Sequence, residues 1–413
     1  MLKQIEGSRA VAEAVGMCRP EVVCAYPVTP QTHIVETLSA MVTSGRLAPC
    51  ECVDVESEVA ALSAAVGASA AGARAYTATA SQGLLYMAEV LYNASGLGLP
   101  IVMTVGNRSI GAPINIWNDH SDAMSQRDSG WIQLYAETSQ EALDLHIQAF
   151  QIAERLSTPV MVCVDGFVLA HAYERVDVPQ QEQVDEFILT YRPRQRLDPD
   201  DPVTIGALVG PEAYTEVRCL AHAKQRRALD VIPEVAARFA RDFGRDTSGL
   251  LRPYRVDDAE CVVVALGSVV GTVKNVVDEM REAGVKIGAV AITSFRPFPS
   301  EAVRKALRHA RRVVVLEKAL AVGVGGVVSG DVRLALEADP TRVSTVIAGL
   351  GGRPVTAASL RDLFDDAICG ALEELTFLDV DAERVEIELA RSTTAHQPDS
   401  GVGAALRPAR SMP

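Results

Sequence analysis

Residues 56–83, ESEVAALSAAVGASAAGARAYTATASQG, contain one helix and the strand that follows it. The helix is predicted over residues 57–71, where Ala, Ser and Gly predominate and allow a close approach to a neighbouring backbone. Tight core packing without a functional role explains the same composition. A short strand is predicted at 74–79, and a second helix at 82–95 begins after a polar turn. Helices that alternate with short strands in this way predict a parallel sheet.

The alternation continues on both sides of this stretch, from residue 21 to about residue 165. The remaining predicted strands are 21–26, 50–54, 99–105, 131–135 and 159–164, and the remaining predicted helices are 31–43 and 139–155. Because strands alternate with helices throughout, we expect an α/β fold whose parallel sheet carries helices on both faces.

A second, smaller α/β unit is predicted after a polar connecting excursion. The excursion runs over about 166–254 and includes a charged helix at 212–243. The second unit has four predicted strands, 262–266, 285–292, 312–317 and 343–349, and predicted helices at 269–283, 300–310, 326–337 and 356–375. The predicted domains are therefore residues 1–245 with the connecting excursion, residues 255–380, and a C-terminal tail at 381–413 that is mobile or docked on a partner.

Composition and charge exclude several classes of protein. The 413 residues carry a net charge of -14 and include no block rich in Lys or Arg, so we expect neither nucleic acid nor an anionic membrane surface as a partner. No apolar run approaches the roughly 20 residues of a membrane span, and the first residues lack the apolar segment of a signal peptide, which predicts a cytoplasmic protein. The eight cysteines are scattered, with only Cys50 and Cys52 close together. An iron–sulfur cluster or a structural zinc ion held by this chain alone is therefore not expected.

Polar residues that follow the predicted strands are candidate binding groups, because loops at the carboxyl ends of parallel strands usually form the ligand site. The first such loop is YPVTPQT, residues 26–32. Its two prolines, Pro27 and Pro30, restrict the backbone on both sides of Thr29 and would present that hydroxyl on a rigid mount. A strand end followed directly by a helix start explains the same residues, and both interpretations stay open.

The next two loops carry carboxylates and a polar turn. Glu56 and Glu58 open the helix at 57–71, where a carboxylate ordinarily interacts with the helix dipole or caps the helix. The small apolar neighbours also allow one of these glutamates to be buried, with a raised proton affinity. The turn TATASQG, residues 77–83, is typical of a binding loop or of a simple helix N-cap.

The longest polar loop, residues 106–131, mixes charged, amide and aromatic side chains, which favours a binding or catalytic role. Arg108 lies near its start, where a guanidinium suits a bidentate grip on a carboxylate. Asp119, His120 and Asp122 form a D-H-x-D sequence, which is too weak a pattern to indicate a metal ion without a further ligand cluster. We therefore predict no metal site in this chain.

The glycines of the sequence do not form a known phosphate-binding motif, and no nucleophile elbow is present. GVGG (323–326) and GLGG (349–352) lie at predicted strand ends of the second unit. We interpret both as plain turns, although either could approach a ligand or a partner.

Five segments of the first region together resemble the α subunit of the 2-oxoacid:ferredoxin oxidoreductases. They are YPVTPQTHIVE (26–36), ESEVAALSAAVGASAAGARAYTATASQG (56–83), PIVMTVGNRSIGAPINIWNDHSD (100–122), RDSGWIQLYAETSQEALD (127–144) and PVMVCVDGF (159–167). The second unit is similar to the other domain of that subunit in VVVALGSVVGT (262–272), SFRPFP (294–299), VLEKALAVGVGG (315–326) and AGLGGRPVT (348–356). The likeness runs in order from about residue 5 to residue 375 and is nearest to the pyruvate synthase type.

The resemblance implies a pyrimidine-type thiamine-diphosphate-binding domain with a parallel sheet, followed by a smaller α/β domain of the transketolase C-terminal type. It implies the oxidative decarboxylation of a 2-oxo acid to an acyl-CoA and CO₂, with coenzyme A as co-substrate and ferredoxin as electron acceptor. Glu58 would then hydrogen-bond the aminopyrimidine ring of the cofactor and support acid/base catalysis. Thr29 and Arg108 would contact the carbonyl and the carboxylate of the substrate. The remaining implied contacts are those of Pro27, Ser81, Gln82 and Gly83 with the cofactor and that of Asn115 with the substrate.

The resemblance also implies that this chain supplies half of an active site and is inactive alone. The chain lacks the G-D-G…N signature that binds Mg²⁺ and the diphosphate, and its nearest match is Val164-Asp165-Gly166. A β subunit would therefore hold the diphosphate and Mg²⁺. A γ subunit and a ferredoxin-like δ subunit would complete the complex, with [4Fe-4S] clusters in the partner subunits.

Two alternatives stay open at the level of sequence. Ser109, Ile110 and Gly111 stand where a typical pyruvate enzyme has a more Ala/Leu-like stretch, and this difference could make room for phenylglyoxylate. That substrate would be converted to benzoyl-CoA, with NAD as final acceptor through a flavoprotein subunit. The other alternative is a non-catalytic scaffold subunit, which the joint presence of Glu58 and Arg108 with Thr29 argues against.

Overall fold

The computed structural model of the chain describes residues 1–247, 249–337 and 339–394. Residues 392–394 are described by their backbone only. The described strands are β1 Leu2–Glu6, β2 Val22–Ala25, β3 Glu51–Asp54, β4 Ala75–Thr79, β5 Val102–Asn107, β6 Ile132–Tyr135, β7 Val160–Asp165, β8 Tyr173–Asp177, β9 Leu251–Tyr254, β10 Cys261–Ala265, β11 Ile287–Ile292, β12 Ser294–Arg296, β13 Arg312–Glu317, β14 Arg342–Ile347 and β15 Leu375–Phe377. The described helices are α1 Gly7–Met17, α2 Thr32–Thr43, α3 Glu58–Ala70, α4 Ser81–Tyr86, α5 Ala88–Leu97, α6 Ser121–Ser125, α7 Ser139–Leu156, α8 Gln181–Phe187, α9 Tyr214–Phe243, α10 Val269–Glu282, α11 Ser300–Leu307, α12 Val328–Ala335, α13 Ala357–Cys369 and α14 Ala382–Thr394.

The predicted α/β fold with a parallel sheet is confirmed. A seven-stranded sheet has the order β12-β6-β7-β5-β4-β2-β3, and its strands β2 to β7 run parallel to one another. Because β5, β4, β2 and β3 are neighbours in this order, the loops that follow them share one edge of the sheet. The seventh strand, β12, pairs antiparallel with β6 and comes from the second half of the sequence.

The second sheet has six strands rather than the predicted four, in the order β15-β14-β13-β10-β11-β9. The predicted strands correspond to β10, β11, β13 and β14, which are parallel. An antiparallel strand, β9, extends one side, and a parallel strand, β15, extends the other. These added strands, LRPY and LTF, contain no continuous apolar run, because polar residues or proline interrupt them. The predicted domain limits of 1–245 and 255–380 stay a prediction.

Helices cover both faces of the seven-stranded sheet. On one face, α7 packs against β7 and is itself covered by α1 and α9. On the other face, α3 packs against β2 and β4 through Ala61 and Ala65, which are fully buried. The close approach predicted for this helix therefore rests on alanines, because Gly67 is exposed. Since both faces are covered, β4, β5 and β7 are buried along their whole length.

Several elements differ from the sequence prediction. The helix predicted at 82–95 is divided at Met87 into α4 and α5, and the helix predicted at 356–375 ends at Cys369. Gly370 causes that end because it adopts a left-handed conformation, with φ of 81°. The prediction also lacked β1, which pairs antiparallel with β8, and the helix α1 that follows it.

Residues Met1–Leu378 form one compact unit, and a second unit begins at Asp379. The second unit covers the predicted tail at 381–413, and its described part contains the helix α14. The remainder of the predicted tail, 395–413, lies outside the described residues. Within the part of the chain that the structure describes, the helices are too short or too polar to span a bilayer.

Candidate active site

Thr29 and Arg108, which were singled out in separate loops, lie in contact at the carboxyl edge of the seven-stranded sheet. Arg108 Nη1 donates a hydrogen bond to the carbonyl oxygen of Thr29 at 2.9 Å. Its Nε donates to the carbonyl oxygen of Asn115 at 3.3 Å. A guanidinium has five N–H donors, so three have no partner among the described residues and are available for a ligand. Because Arg108 is half-buried and Thr29 is exposed, both present polar groups on the open side of this edge.

Pro30 holds the Thr29 loop against the ends of two strands. A Cβ atom at Gly166 would lie 2.7 Å from Pro30 Cγ, and one at Gly106 would lie 3.3 Å from the same atom. The proline ring is therefore packed between the ends of β5 and β7. Behind it, the buried Gln31 donates from Nε2 to the carbonyl oxygen of Tyr26 at 2.9 Å, which closes the loop.

Glu58 is the first residue of α3, and its carboxylate lies against the turn between β4 and α4. The helix is capped by Ser57, whose Oγ accepts from the Ala60 N–H at 3.3 Å, so Glu58 is not used as the cap. A Cβ atom at Gly83 would lie 2.7 Å from Glu58 Oε1 and 2.6 Å from Thr79 Oγ1. Only glycine therefore allows the carboxylate to occupy this position.

The Glu58 carboxylate is half-buried rather than enclosed. Within the part of the chain that the structure describes, it accepts no hydrogen bond, and the adjacent Thr79 Oγ1 is buried without a partner. Burying a hydroxyl without a hydrogen bond is unfavourable by about 1–3 kcal/mol. These two groups are therefore suited to a ligand that offers both a donor and an acceptor.

Ser81 and Gln82 have different surroundings from Gly83. Ser81 is buried, with φ of 50°, and its hydroxyl lies within hydrogen-bond distance of the carbonyl oxygen of Ser109 and of the side-chain oxygen of Gln82, so that it can donate to one of them. Gln82 is exposed and lies beside the backbone of Gly111. Ser81 therefore ties the β4 turn to the long loop, and of the three predicted contacts only Gly83 lies against Glu58.

Asp122 holds the ends of β4 and β5 together, a function that the sequence did not reveal. Its carboxylate accepts hydrogen bonds from the N–H groups of Ser81 and Arg108, each at 3.0 Å, and from Nδ2 of Asn107 at 2.8 Å. Burial raises the pKa of Asp122 to about 6, although these three hydrogen bonds act in the opposite direction. The carboxylate positions the Arg108 backbone, and its partners are N–H donors rather than metal ligands.

The other two members of the D-H-x-D sequence also have partners within the chain. His120 Nε2 lies 2.6 Å from Oδ1 of Asp165, and Lys318 Nζ donates to Oδ2 of Asp165 at 2.8 Å. All three side chains are buried. Burial by itself would raise the pKa of Asp165, but the Lys318 ammonium and His120 hold it well below the usual range. Asp119 accepts from the N–H groups of Ser121 and Gly351.

Asn115 connects the long loop to the GLGG turn at 349–352. Its Oδ1 accepts from the Trp117 N–H at 2.7 Å, and its Nδ2 donates to the carbonyl oxygen of Gly351 at 3.2 Å. A Cβ atom at Gly351 would lie 2.6 Å from that nitrogen, and one at Gly352 would lie 2.4 Å from Trp117 Cβ. GLGG is therefore a turn whose glycines also permit a close contact with the long loop. Asn115 meets Arg108 through its backbone carbonyl alone.

The GVGG turn at 323–326 also makes a close contact within the chain. A Cβ atom at Gly326 would lie 2.0 Å from Oε1 of Glu317. The Glu317 carboxylate accepts from the N–H groups of Val327, Val328 and Ser329 at 2.7–3.1 Å. The N-terminus of α12 is thus occupied by a carboxylate of this chain.

The structure therefore divides the predicted site residues into groups. Thr29 and Arg108 meet directly, Glu58 and Gly83 meet directly, and Ser81 joins the two pairs through Asp122. Asn115 and Gln82 contribute to loop packing, and Pro27 is exposed at the rim. The sequence signal that could have revealed Asp122 was its place in the D-H-x-D run, but its partners only become neighbours in the folded sheet.

Comparisons with known proteins cover most of the chain. A family model described as "Pyruvate flavodoxin/ferredoxin oxidoreductase, thiamine diP-bdg" matches residues 13–237, and one described as "Pyruvate:ferredoxin oxidoreductase core domain II" matches 259–360. The pyruvate synthase subunit PorA of Methanosarcina barkeri is 47% identical over 388 residues, which are 92% of this chain and 96% of that protein. PorA of Thermotoga maritima is 45% identical over 89% of this chain and 95% of that protein. The ketoisovalerate oxidoreductase subunit VorA of Pyrococcus abyssi is 39% identical over 88% of this chain and 93% of that protein.

Two solved structures share the fold. One is the 2-oxoglutarate:ferredoxin oxidoreductase from Magnetococcus marinus with 2-oxoglutarate, coenzyme A and succinyl-CoA bound, with a TM-score of 0.71 and 19% identity. The match covers 89% of this chain, and this chain spans 65% of the length of that one. The other is a split-gene transketolase in an inactive β4 tetramer, with a TM-score of 0.54 and 13% identity, over 89% of this chain and 99% of that one. At these identities the likeness shows the fold alone.

Proposed function

The chain belongs to the family of 2-oxoacid:ferredoxin oxidoreductase α subunits, and on this premise we propose that its substrate is pyruvate. As a member of this family it is one subunit of a multi-subunit, thiamine-diphosphate-dependent oxidoreductase. The proposed reaction is the coenzyme A-dependent oxidative decarboxylation of pyruvate to an acyl-CoA and CO₂, with the electrons passed to ferredoxin.

The contact between Arg108 and Thr29 is the observation that carries this proposal. It places the Arg108 guanidinium, which among the described residues has unused N–H donors, against the backbone carbonyl oxygen of Thr29 at an open sheet edge. A planar guanidinium suits the carboxylate of a 2-oxo acid, and the hydroxyl of Thr29 can donate to the adjacent carbonyl. Both groups would orient the substrate so that its carboxylate leaves as CO₂ from a fixed position.

Glu58, Thr79 and Gly83 fit the aminopyrimidine part of thiamine diphosphate. The Glu58 carboxylate and the Thr79 hydroxyl have unused hydrogen-bonding capacity, and the absence of a side chain at Gly83 leaves the carboxylate accessible. When bound, the cofactor supplies the nucleophilic carbon and the electron sink that decarboxylation of a 2-oxo acid requires. Glu58 would hold a proton shared with a ring nitrogen and act as an acid/base group.

Partner subunits would supply the rest of the active site. Asp165, in the nearest match to the G-D-G signature, is already bound by Lys318 and His120, so the diphosphate and Mg²⁺ are assigned to a β subunit. The described residues include all eight cysteines, whose thiols do not converge on one point. The [4Fe-4S] clusters are therefore assigned to the partner subunits.

The relatives narrow the choice of substrate. Those named as pyruvate synthase subunits are 43–47% identical to this chain, and the ketoisovalerate oxidoreductase subunit is 39% identical. 2-Oxoisovalerate is therefore the second candidate. Phenylglyoxylate is not favoured, because these relatives are named for aliphatic 2-oxo acids.

The test uses the purified complex with its co-purifying subunits, assayed with pyruvate, 2-oxoisovalerate, oxalate and phenylglyoxylate in the presence of coenzyme A. We expect the highest kcat/KM with pyruvate. Glu58→Gln should leave the complex assembled yet lower kcat by at least about a hundredfold, because it removes an acid/base group. The matched control is Glu56→Gln, which changes an exposed glutamate two residues away and should have nearly normal activity.

Two results would contradict this proposal. A complex that turns over another 2-oxo acid faster than pyruvate would reject the substrate. Near-normal activity of Glu58→Gln would instead favour the scaffold alternative, in which the chain stabilises the complex without taking part in catalysis.

A further inference from the structure

Glu6, His33 and His171 bring one carboxylate and two imidazoles together at the start of α2, the helix that follows the Thr29 loop. One donor atom from each of these residues lies within 4.8 Å of the corresponding atoms of the other two. Two imidazoles and a carboxylate are a common ligand set for Zn²⁺ and related first-row divalent ions. We propose that Glu6, His33 and His171 bind a divalent transition-metal ion of the Zn²⁺ class.

Backbone pairing fixes Glu6 and His171 beside each other. Glu6 ends β1, where it is paired with Tyr173 of β8. The Gly7 N–H then donates to the carbonyl oxygen of Ala172 at 3.0 Å, and the Ser8 N–H donates to that of Ala170 at 2.8 Å. Because His171 lies between these two anchored residues, its Cα is held opposite the end of β1.

His33 reaches the same point from the start of α2. Its Nδ1 lies 2.6 Å from Oε1 of Glu6, and its ring centroid lies 4.9 Å from that of His171. The Glu6 side chain is almost fully buried, whereas 43% of the His33 side chain is exposed. A bound ion would therefore have protein ligands on the inner side and room for water on the outer side, as in zinc sites with three protein ligands.

His171 has a buried nitrogen that the chain does not satisfy. Its Nδ1 is inaccessible to solvent and, within the described residues, has no hydrogen-bond partner. Phe167 stacks on its ring, with centroids 4.7 Å apart and an interplanar angle of 21°, and so restricts the ring orientation. The nearby guanidinium of Arg9 approaches only the other carboxylate oxygen, with Nε 3.7 Å from Oε2 of Glu6. Oε1 and the imidazoles therefore face one another without an intervening cation.

A metal ion at this position would connect three segments around the Thr29 loop. Glu6 lies at the junction of β1 and α1, His33 lies three residues after Pro30, and His171 lies in the turn that follows β7. Since Pro30 itself packs against Gly166, the ion would restrain the loop and the turn that position Thr29. The expected role is structural, because the three ligands are distinct from Thr29, Arg108 and Glu58.

The test is titration of the chelator-treated full-length chain with Zn²⁺ and with Co²⁺. We expect one tightly bound ion per chain and a visible Co²⁺ absorption spectrum typical of nitrogen and oxygen ligands. His33→Ala and His171→Ala should each weaken Zn²⁺ affinity by at least about a hundredfold, since even residues that only support a metal ligand contribute roughly 10- to 100-fold. His222→Ala is the matched control, because it removes an exposed histidine of α9 and should not change the affinity.

Glu6→Gln keeps the shape of the side chain and its hydrogen bond to His33 but removes the charge, so it should weaken the affinity without unfolding the chain. Circular dichroism of each variant would verify the fold. The proposal is overturned if the wild-type chain binds no stoichiometric Zn²⁺, or if all three ligand variants bind it as the wild type does. A thiolate charge-transfer band in the Co²⁺ spectrum would also overturn it, by placing the ion on cysteines. These results do not depend on enzymatic activity, so they are separate from the test of the proposed function.

Discussion

At the scale of single residues, the predicted site residues Glu58, Thr29 and Arg108 differ in burial from Asp122, which positions the backbone of Arg108. Glu58, Thr29 and Arg108 keep polar groups available at the sheet edge. Asp122 does the opposite, because it is fully buried and its carboxylate is surrounded by N–H donors from the turn after β4 and the end of β5. A carboxylate in this position joins two loops that the sequence presents as independent.

The raised pKa of Asp122 predicts a pH-dependent contribution to stability. In the folded chain the pKa is raised by burial from its ordinary value of 3.8 to about 6, so the folded state binds this proton more tightly than the unfolded state does. The contribution to the free energy of unfolding is therefore complete below about pH 4 and is lost as the pH rises through about 6. The change amounts to roughly 1.4 kcal/mol per pH unit, up to about 3 kcal/mol in total.

Urea unfolding of the wild type and of Asp122→Asn between pH 4 and pH 7 measures this contribution. The difference in unfolding free energy between the two chains should change across this interval, because the variant cannot titrate at this position. We also expect Asp122→Asn to be less stable at every pH, since its amide NH₂ would face N–H donors. Parallel curves for the two chains would show that Asp122 does not titrate in this range.

At the scale of elements, the candidate site depends on how closely α3 approaches the turn between β4 and α4. The first residue of α3 supplies the carboxylate, and Gly83 in α4 supplies the space that it occupies. Ala61 and Ala65 allow α3 to lie close to the sheet. The small-residue composition of this stretch therefore serves both packing and the position of Glu58.

Gly83→Ala should displace the Glu58 carboxylate from the turn between β4 and α4. The new Cβ would lie 2.7 Å from Oε1 of Glu58 and 2.6 Å from Thr79 Oγ1, so the carboxylate must move. We expect kcat of the complex to fall by roughly tenfold or more, because displacement of a catalytic group by about 1 Å can lower rates by up to a hundredfold. Steady-state kinetics with saturating thiamine diphosphate would measure this change.

Gly67→Ala is the matched control, because it adds a methyl group to the same helix where a Cβ atom has no neighbour within 4 Å. It should retain full activity and gain up to about 1 kcal/mol of stability from the helix propensity of alanine. If Gly83→Ala and Gly67→Ala had equal activity, the absence of a side chain at Gly83 would not be needed for the function of Glu58.

At the scale of the whole molecule, a buried ion pair joins the two large sheets beside the candidate site. Asp165 ends β7 of the seven-stranded sheet, and Lys318 follows β13 of the six-stranded sheet. The side chain of His120, in the long loop, contacts Asp165. The backbone N–H of His120 donates to the carbonyl oxygen of Lys318 at 2.7 Å. The position of the long loop therefore depends on both sheets.

Lys318→Met should be strongly destabilising because it leaves the Asp165 charge buried without its main counter-charge. Loss of one partner of a buried ion pair typically lowers stability by about 3–5 kcal/mol. Because the folded pKa of Asp165 lies below its usual range, the contribution is present at neutral pH and is lost only as the pH falls below the ordinary pKa of aspartate. Urea unfolding at pH 7 would measure the change.

The control is Lys286→Met, which removes an exposed lysine whose Nζ lies 3.6 Å from Glu260, and which should lower stability by no more than about 1 kcal/mol. Combining Asp165→Asn with Lys318→Met should restore part of the loss, because the unpaired charge is then absent. Additive effects of the two substitutions would contradict a direct coupling between them.

The sequence by itself determined the α/β class, most helices and strands, and the loops that carry Glu58, Thr29 and Arg108. These features depend on local patterns, since apolar periodicity and the residues at strand ends are encoded within short segments. The ordered motifs also indicated the family before any partner of a side chain was known. The elements β9 (LRPY), β12 (SFR) and β15 (LTF) were missed because polar residues or proline interrupt any apolar run in them.

Only the tertiary structure decided which polar side chains act together. Asp122 bonds to Ser81, 41 residues away, and Asp165 is paired with Lys318, 153 residues away. In the sequence, Asp122 belonged to a possible metal-binding pattern, and Asp165 to the nearest match to a diphosphate-binding signature. Their actual partners follow from the order of strands in one sheet and from the contact between two sheets. Local periodicity cannot specify such pairings, because they depend on which distant segments become neighbours when the core is buried.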